Sequence, residues 1–227
     1  MTSVTRKLVF AFLCMLLFAR LVMAQDSACL NAKKADVPMN PGRSLDQGTR
    51  QLGLWVGYSP NNPTLIGRTT DRPFLEFNVQ YARVLTTGDN WALKYTGEII
   101  PVAIIRQPQQ ATVNGNPVDL SGRKEVYGAG LSPLGLQMNF RRGCMLQPYV
   151  NGTAGVIYFN HNVPVSNSSN FNFTFGFGTG VEIWYRENQS ILLGYKYQHI
   201  SNGYTAPHNP GVDSSLFYLG YAWSWIR

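Results

Sequence analysis

The feature that most constrains the fold of this 227-residue chain is a strict alternation of large apolar residues with small or polar ones. Every second residue in 171–177 is Phe, and the residues between them are Asn, Thr and Gly. The same period of two occurs in 75–83 and in 91–99. Because successive side chains of a β-strand point to opposite faces, these segments are predicted to be strands with one apolar and one polar face.

Eight segments of this kind, separated by turn residues, are predicted along the chain. They cover roughly 51–58, 74–86, 91–105, 124–140, 146–159, 171–186, 189–201 and 213–226. Short connections alternate with long ones, and the long ones are predicted at 59–73, 106–123, 160–170 and 203–212. This alternation is typical of an outer-membrane barrel, which has tight periplasmic turns and longer outer loops.

The two faces of the predicted strands differ in size as well as in polarity. One face is rich in Phe, Leu, Tyr and Trp, whereas the other is small, polar and rich in Gly. A lipid-facing wall takes large apolar residues, and a narrow lumen takes small or polar ones. We therefore predict an all-β protein, an eight-stranded antiparallel transmembrane (outer-membrane) β-barrel. The charged residues that share the inward parity would form a network in the lumen: Glu76, Lys94, Glu98 and Glu182.

The same pattern allows one other barrel. A soluble secreted barrel would hold an apolar ligand in its interior and would turn the aromatic face inward. The two barrels are distinguished by the direction in which the aromatic residues point.

The N-terminus has the pattern of a secretory signal peptide. Arg6 and Lys7 precede an apolar run over 8–22, and a small-residue cleavage site follows at Ala24. Such a run is too short and too poorly flanked for a membrane helix. We predict a signal peptide at 1–24, a polar N-terminal extension at 25–50 and a barrel domain at 51–227, located in the cell outer membrane.

The charge and the cysteines argue against two kinds of site. The net charge of +7 falls to +4 once the three cations of the leader are removed, and the remaining cations are scattered, so no nucleic-acid site is indicated. Cys29 and Cys144 remain in the mature chain, and an oxidising compartment permits a disulfide. Two cysteines without a further ligand at suitable spacing argue against structural zinc, and no metal or cofactor is implied.

A stretch near the C-terminus places three reactive residues on the apolar face. His199 and Ser201 are two residues apart, so they share a face, with their Cα atoms about 7 Å apart. Asp213 follows the long connection at 203–212 and has the parity of the aromatic residues in the last strand. The three residues are therefore predicted on the lipid-facing wall near the outer rim, where ionisable groups are costly and usually functional.

These residue types suit acyl transfer. A serine becomes a nucleophile when a histidine takes its proton, and a carboxylate fixes the tautomer of that histidine. Asp213 can reach His199 as a cross-strand neighbour, and Asn202 and Asn209 offer amide donors for an oxyanion. The residues alone leave an alternative open, a rim histidine in the aromatic belt with Asn and Ser residues that cap the loop.

Two short blocks resemble a known signature. His199-Ile200-Ser201-Asn202, followed by Asn209-Pro210-Gly211-Val212-Asp213, is similar to the H-x-S-N…N-x-G-x-[E/D] signature of the outer-membrane lipid A 3-O-deacylases, the PagL-like family. The resemblance implies that Ser201 is the nucleophile, His199 the general base and Asp213 the acid that orients the base. It also implies an active site on the outer surface of the barrel.

The remaining motif positions carry over in the same way. Asn202 and Asn209 match the asparagines linked to the oxyanion hole, and Gly211 matches the motif glycine. The acid in the best-known members is Glu, so Asp213 is one methylene shorter.

The resemblance implies a carboxylic ester hydrolase, an outer-membrane serine esterase that removes an ester-linked acyl chain from lipid A, at the 3-O position. Its partners would be lipid A or lipopolysaccharide as substrate and the surrounding outer-membrane lipids, with no nucleic acid, and a homodimer is compatible with the sequence. The alternative is a non-catalytic structural or adhesive small outer-membrane barrel.

Overall fold

The structure is a computed structural model that describes Cys29 and residues 45–226. The predicted signal peptide and most of the predicted extension lie outside the described residues, so those domain boundaries remain predictions. Cys29 and Cys144 are both disulfide-bonded. Within the described part of the chain, no helix is long and apolar enough to cross a membrane.

Eight antiparallel strands form a closed barrel, as predicted. Each strand pairs with the next one in sequence, and the first pairs with the last. Within the closed barrel, every strand has neighbours for its backbone hydrogen bonds on both sides, whereas β3 and β4 pair only with each other beyond Ile105. The strands are β1 (Arg50–Ser59), β2 (Phe74–Thr87), β3 (Trp91–Val113), β4 (Asn116–Phe140), β5 (Leu146–Val163), β6 (Ser169–Arg186), β7 (Gln189–Ser201) and β8 (Val212–Trp225).

One predicted long loop is wrong, and another is shorter than predicted. Residues 106–123 extend β3 and β4 into a long hairpin, called the outer hairpin here, and the loop predicted at 160–170 is limited to 164–168 between β5 and β6. The hairpin turns at Asn114 and Gly115, whose φ angles of 52° and 80° are positive. Asn-Gly is the preferred pair for such a two-residue turn, so the turn signal was present in the sequence inside the stretch assigned to a loop.

The aromatic face of the strands points outward. Phe177 and Leu219 are 52% and 55% exposed, and Trp223 is 52% exposed. This orientation is that of a lipid-facing wall, and it contradicts the soluble barrel with an inward aromatic face.

The lumen is divided into a charged part and an apolar part. The charged residues predicted to face inward are buried, and Lys94 and Glu182 form an ion pair of 3.0 Å. Toward the end of the barrel that bears the β7–β8 connection, an apolar cluster fills the interior where a small, polar lining was predicted. Its members are Phe74, Ile100, Ala103, Ile105, Val126, Ile157, Phe159, Val163, Ile200, Val212 and Leu216. This cluster gives the ends of β7 and β8 a densely packed inner support.

Candidate active site

The site begins with a cross-strand pair on the outer wall. His199 in β7 and Asp213 in β8 are register partners in the antiparallel sheet. The His199 Nδ1 and Asp213 Oδ1 atoms are 2.7 Å apart, and both side chains are almost fully buried. Because a carboxylate oxygen can only accept, Nδ1 donates its N–H to Asp213, and in this tautomer Nε2 can accept a proton. The Asp213 side chain therefore reaches His199, although it is one methylene shorter than Glu.

The Asp213 carboxylate is held from its other side by backbone donors. The N–H groups of Leu65 and Ile66 donate to Oδ2 at 2.8 and 2.9 Å, and the N–H of Gly67 donates to Oδ1 at 2.9 Å. Together with His199, these donors give each oxygen two hydrogen bonds. A buried carboxylate needs such donors because it has lost its hydration. The three N–H groups thus hold the carboxylate in one orientation against the histidine.

These donors belong to the β1–β2 loop, residues 60–73, which is hydrogen-bonded to the β7–β8 loop, residues 202–211. The Arg68 N–H donates to the Pro210 carbonyl at 2.8 Å, and the Thr69 hydroxyl donates to the Gly211 carbonyl at 2.6 Å. Residues 65–69 had no site signal in the sequence, because backbone N–H groups are present at every residue except Pro. Only the conformation of the folded loop brings these N–H groups to the Asp213 carboxylate.

Gly211 is the motif position with the clearest steric requirement. Its φ of +63° is in the left-handed region that favours glycine. A Cβ at this position would also lie 2.7 Å from His199 Cε1, well inside van der Waals contact. The glycine therefore leaves room for the imidazole in its hydrogen-bonded position.

Ser201 lines the same cleft as His199, on the outer side of the β7–β8 loop. The cleft has a volume of about 640 Å³, and Ser201 is partly exposed in it. Within the described part of the chain, the Ser201 hydroxyl makes no hydrogen bond. The structure thus joins His199 to Asp213 and places Ser201 in their cleft, without a hydrogen bond between Ser201 and His199.

The two motif asparagines occupy different positions. Asn209 lines the cleft, and its Oδ1 accepts the Asn202 N–H at 3.0 Å, which leaves its amide N–H₂ without a partner among the described residues. Asn202 is fully buried, donates to the His208 carbonyl at 2.8 Å and accepts the Tyr204 N–H at 2.9 Å. The loop-capping alternative therefore describes Asn202, whereas Asn209 keeps a free donor.

The chemistry available to this arrangement is acyl transfer. It contains a hydroxyl in an open cleft, an imidazole with a fixed tautomer, a fixed carboxylate and a free amide donor. No group of three or more His, Cys, Asp or Glu that could hold a metal ion is found among the residues the structure describes.

Comparisons with known proteins agree with this fold. The crystal structure of the outer membrane enzyme PagL superposes with a TM-score of 0.52 at 14% identity, covering 76% of this chain and 97% of that one. The crystal structure of Neisserial surface protein A (NspA) superposes with a TM-score of 0.50 at 12% identity, covering 79% and 100%. No curated protein matches the chain in sequence. At these identities, the structural likeness establishes an outer-membrane barrel fold.

A family model is more specific than these superpositions. The model of the lipid A 3-O-deacylase (PagL) family matches residues 77–222, which is more than half of the chain. The match includes the stretch from His199 to Asp213, but it begins after the β1–β2 loop that holds the carboxylate. This chain belongs to the lipid A 3-O-deacylase family.

Proposed function

We propose that this protein is a serine esterase of the outer membrane that hydrolyses the 3-O-linked acyl ester of lipid A. The observation that carries the proposal is the His199–Asp213 pair on the lipid-facing wall, in one cleft with Ser201. The family supplies the substrate class, and the 3-O position follows the family's description.

The proposed first step forms an acyl-enzyme. His199 Nε2 takes the Ser201 hydroxyl proton while the serine oxygen attacks the ester carbonyl. Asp213, fixed by the β1–β2 loop, stabilises the imidazolium that forms. The free Asn209 amide donates to the oxyanion of the tetrahedral intermediate, and the buried Asn202 supports this role by fixing the loop. Collapse of the intermediate breaks the ester, and the proton on His199 passes to the sugar hydroxyl that leaves.

The second step releases the fatty acid. Water attacks the acyl-enzyme carbonyl, and His199 takes its proton and returns it to the Ser201 oxygen. The cleft opens beside the aromatic wall, where Phe175 packs at 5.3 Å between ring centroids from His199. A lipid diffusing in the outer leaflet can therefore present its ester at the wall while its acyl chains stay in the bilayer. No cofactor enters this mechanism.

The proposal is tested by mass spectrometry of lipid A from a Gram-negative host that expresses the chain. We expect the loss of one hydroxyacyl chain with the wild type and no loss with Ser201→Ala. Ser121→Ala, which changes an exposed serine on the outer hairpin, is the matched control and should deacylate normally.

Each other outcome has a definite meaning. Unchanged lipid A, with the wild-type barrel shown to be in the outer membrane, would overturn lipid A deacylation and favour the non-catalytic barrel. Equal deacylation by Ser201→Ala would exclude this serine as nucleophile. Loss of a chain from a position other than 3-O would overturn the positional assignment and keep the esterase.

A further inference from the structure

The residues that line the cleft beside Ser201 include a cation but no acid. Its lining contains Arg68, His199 and His208 but no Asp or Glu. Arg68 is exposed, and its guanidinium has no carboxylate partner among the described residues. Arg123, on the neighbouring outer hairpin, is instead paired with Asp71. An unpaired guanidinium in a cleft without acids indicates a site for an anion.

Arg68 is mounted rigidly with respect to the catalytic residues. Its N–H donates to the Pro210 carbonyl at 2.8 Å, and the next residue, Thr69, is bound through its hydroxyl to the Gly211 carbonyl at 2.6 Å. Gly211 in turn borders the His199 ring. The base of the Arg68 side chain is therefore fixed beside the β7–β8 loop, which reduces the entropy lost when the side chain binds a ligand.

His208 adds a second polar group to the cleft. Its carbonyl is fixed by Asn202 Nδ2 at 2.8 Å and by the Ser168 hydroxyl at 2.9 Å. Its ring Nδ1 is buried and has no hydrogen-bond partner in the described part of the chain. A buried atom cannot meet a ligand from the cleft, so His208 contributes through the rest of the residue, which lines the cleft together with Arg68.

We propose that Arg68, with His208 in the same cleft, binds a phosphate monoester on the sugar that bears the scissile ester. The proposal rests on the proposed function and adds the group by which the substrate is oriented. A guanidinium binds a phosphate through two parallel hydrogen bonds, as it does a carboxylate. Lipid A is a phosphorylated glycolipid, so the ester and the phosphate belong to one substrate molecule. Arg68 lies before the part of the chain that matches the family, 77–222.

The test compares phosphorylated and enzymatically dephosphorylated lipid A in micelles of a non-ionic detergent. We expect the wild type to lose about tenfold or more in kcat/KM when the phosphate is absent. Arg68→Gln should lose this preference by slowing on the phosphorylated substrate alone, and Arg68→Lys should restore part of it. Arg106→Gln removes an exposed arginine on β3 outside the cleft and is the matched control, which should keep the full preference.

Inorganic phosphate distinguishes the two sources of the anion. If the site takes the phosphate of the substrate, millimolar inorganic phosphate should inhibit the wild type on phosphorylated lipid A and leave Arg68→Gln unaffected. Equal preference in the wild type and Arg68→Gln would overturn the proposal. Equal loss in Arg68→Gln and Arg106→Gln would overturn it too, because the effect would then be one of general surface charge.

A binding measurement separates failure of this proposal from failure of the proposed function. In the Ser201→Ala background, we expect phosphorylated lipid A to bind about tenfold more tightly than the dephosphorylated form, and Arg68→Gln to remove the difference. Such binding without hydrolysis by the wild type would refute the esterase and keep the phosphate site. Hydrolysis without any phosphate preference would keep the esterase and refute the phosphate site.

Discussion

Strand β7 carries two buried basic residues, Lys196 and His199, on opposite faces of the barrel wall. Lys196 faces the lumen, where its Nζ lies 3.0 Å from Glu98 Oε2 and 5.0 Å from the centre of the Trp55 ring. His199 faces outward, where it is bonded to Asp213 and borders an open cleft. Both residues are paired with an acid, but only the outer pair has a cleft in which a substrate could meet it.

The difference shows how a paired charge can serve structure or chemistry. In the lumen, Glu182 accepts hydrogen bonds from Gln51, Lys94, Asn139 and Ser190, so each of its carboxylate oxygens has two donors. On the outer wall the acid is equally saturated, whereas the base keeps one nitrogen free. A buried ion pair whose acid is fully hydrogen-bonded stabilises the barrel, whereas a histidine with one free ring nitrogen can transfer a proton.

The largest effect is expected when the outer acid loses its charge. Asp213→Asn places an amide where three backbone N–H groups and His199 need an acceptor, and it disturbs the histidine tautomer. We expect kcat to fall by about 10³-fold, measured as the rate of fatty-acid release. Asp119→Asn, at an exposed acid on the outer hairpin, is the control. A loss below about tenfold would show that the acid does not orient the base.

The corresponding change in the lumen should affect stability and leave catalysis intact. Glu182→Gln leaves Lys94 buried without its counter-charge, which costs about 3–5 kcal/mol of unfolding free energy. Urea unfolding in detergent measures this loss, and the specific activity of the folded protein should not change. The exposed turn residue Glu187 provides the control, Glu187→Gln. Lost activity in a fully folded Glu182→Gln protein would show that the lumenal charges affect catalysis at the outer site, contrary to this prediction.

A smaller loss of activity is expected when the space around the base is filled. Gly211→Ala adds a Cβ that would meet His199 Cε1 at 2.7 Å, so the ring must leave its hydrogen-bonded position. We expect kcat to fall by about 10²-fold. Gly115→Ala is a matched control, because Gly115 also has a positive φ but has no atom within 4 Å of an added Cβ. Similar losses in both variants would attribute the effect to backbone strain.

The smallest effect is expected when a side chain that holds the β1–β2 loop against β8 is removed. Asn62 donates from its side chain to the Asp213 carbonyl at 2.6 Å and so ties the β1–β2 loop to β8. Asn62→Ala should lower kcat by up to about tenfold with little change in KM, because the variant loses this hydrogen bond and the one that Asn62 Oδ1 accepts from the Arg72 N–H. Its neighbour Asn61, whose side chain is exposed, gives the control Asn61→Ala. An increase in KM alone would instead assign the loop to substrate binding.

The strands and the reactive residues could be predicted because each depends on a local pattern. The period of two in segments such as 171–177 predicts a strand wherever it falls, and the large aromatic face distinguishes a lipid-facing wall from a lumen. Shared parity alone placed His199, Ser201 and Asp213 on one face, and the observed register agrees for the His199–Asp213 pair. The hairpin at Asn114–Gly115 was missed although its turn signal is local.

The support of the site could not be predicted, because it depends on contacts distant in the chain. The backbone N–H groups of Leu65, Ile66 and Gly67 bind an acid about 150 residues away, and every non-proline residue has such a group. The sequence alone therefore determined the barrel, the outward face and the residues that could do chemistry. Only the tertiary structure decided which of them meet, because barrel closure sets which loops share one rim.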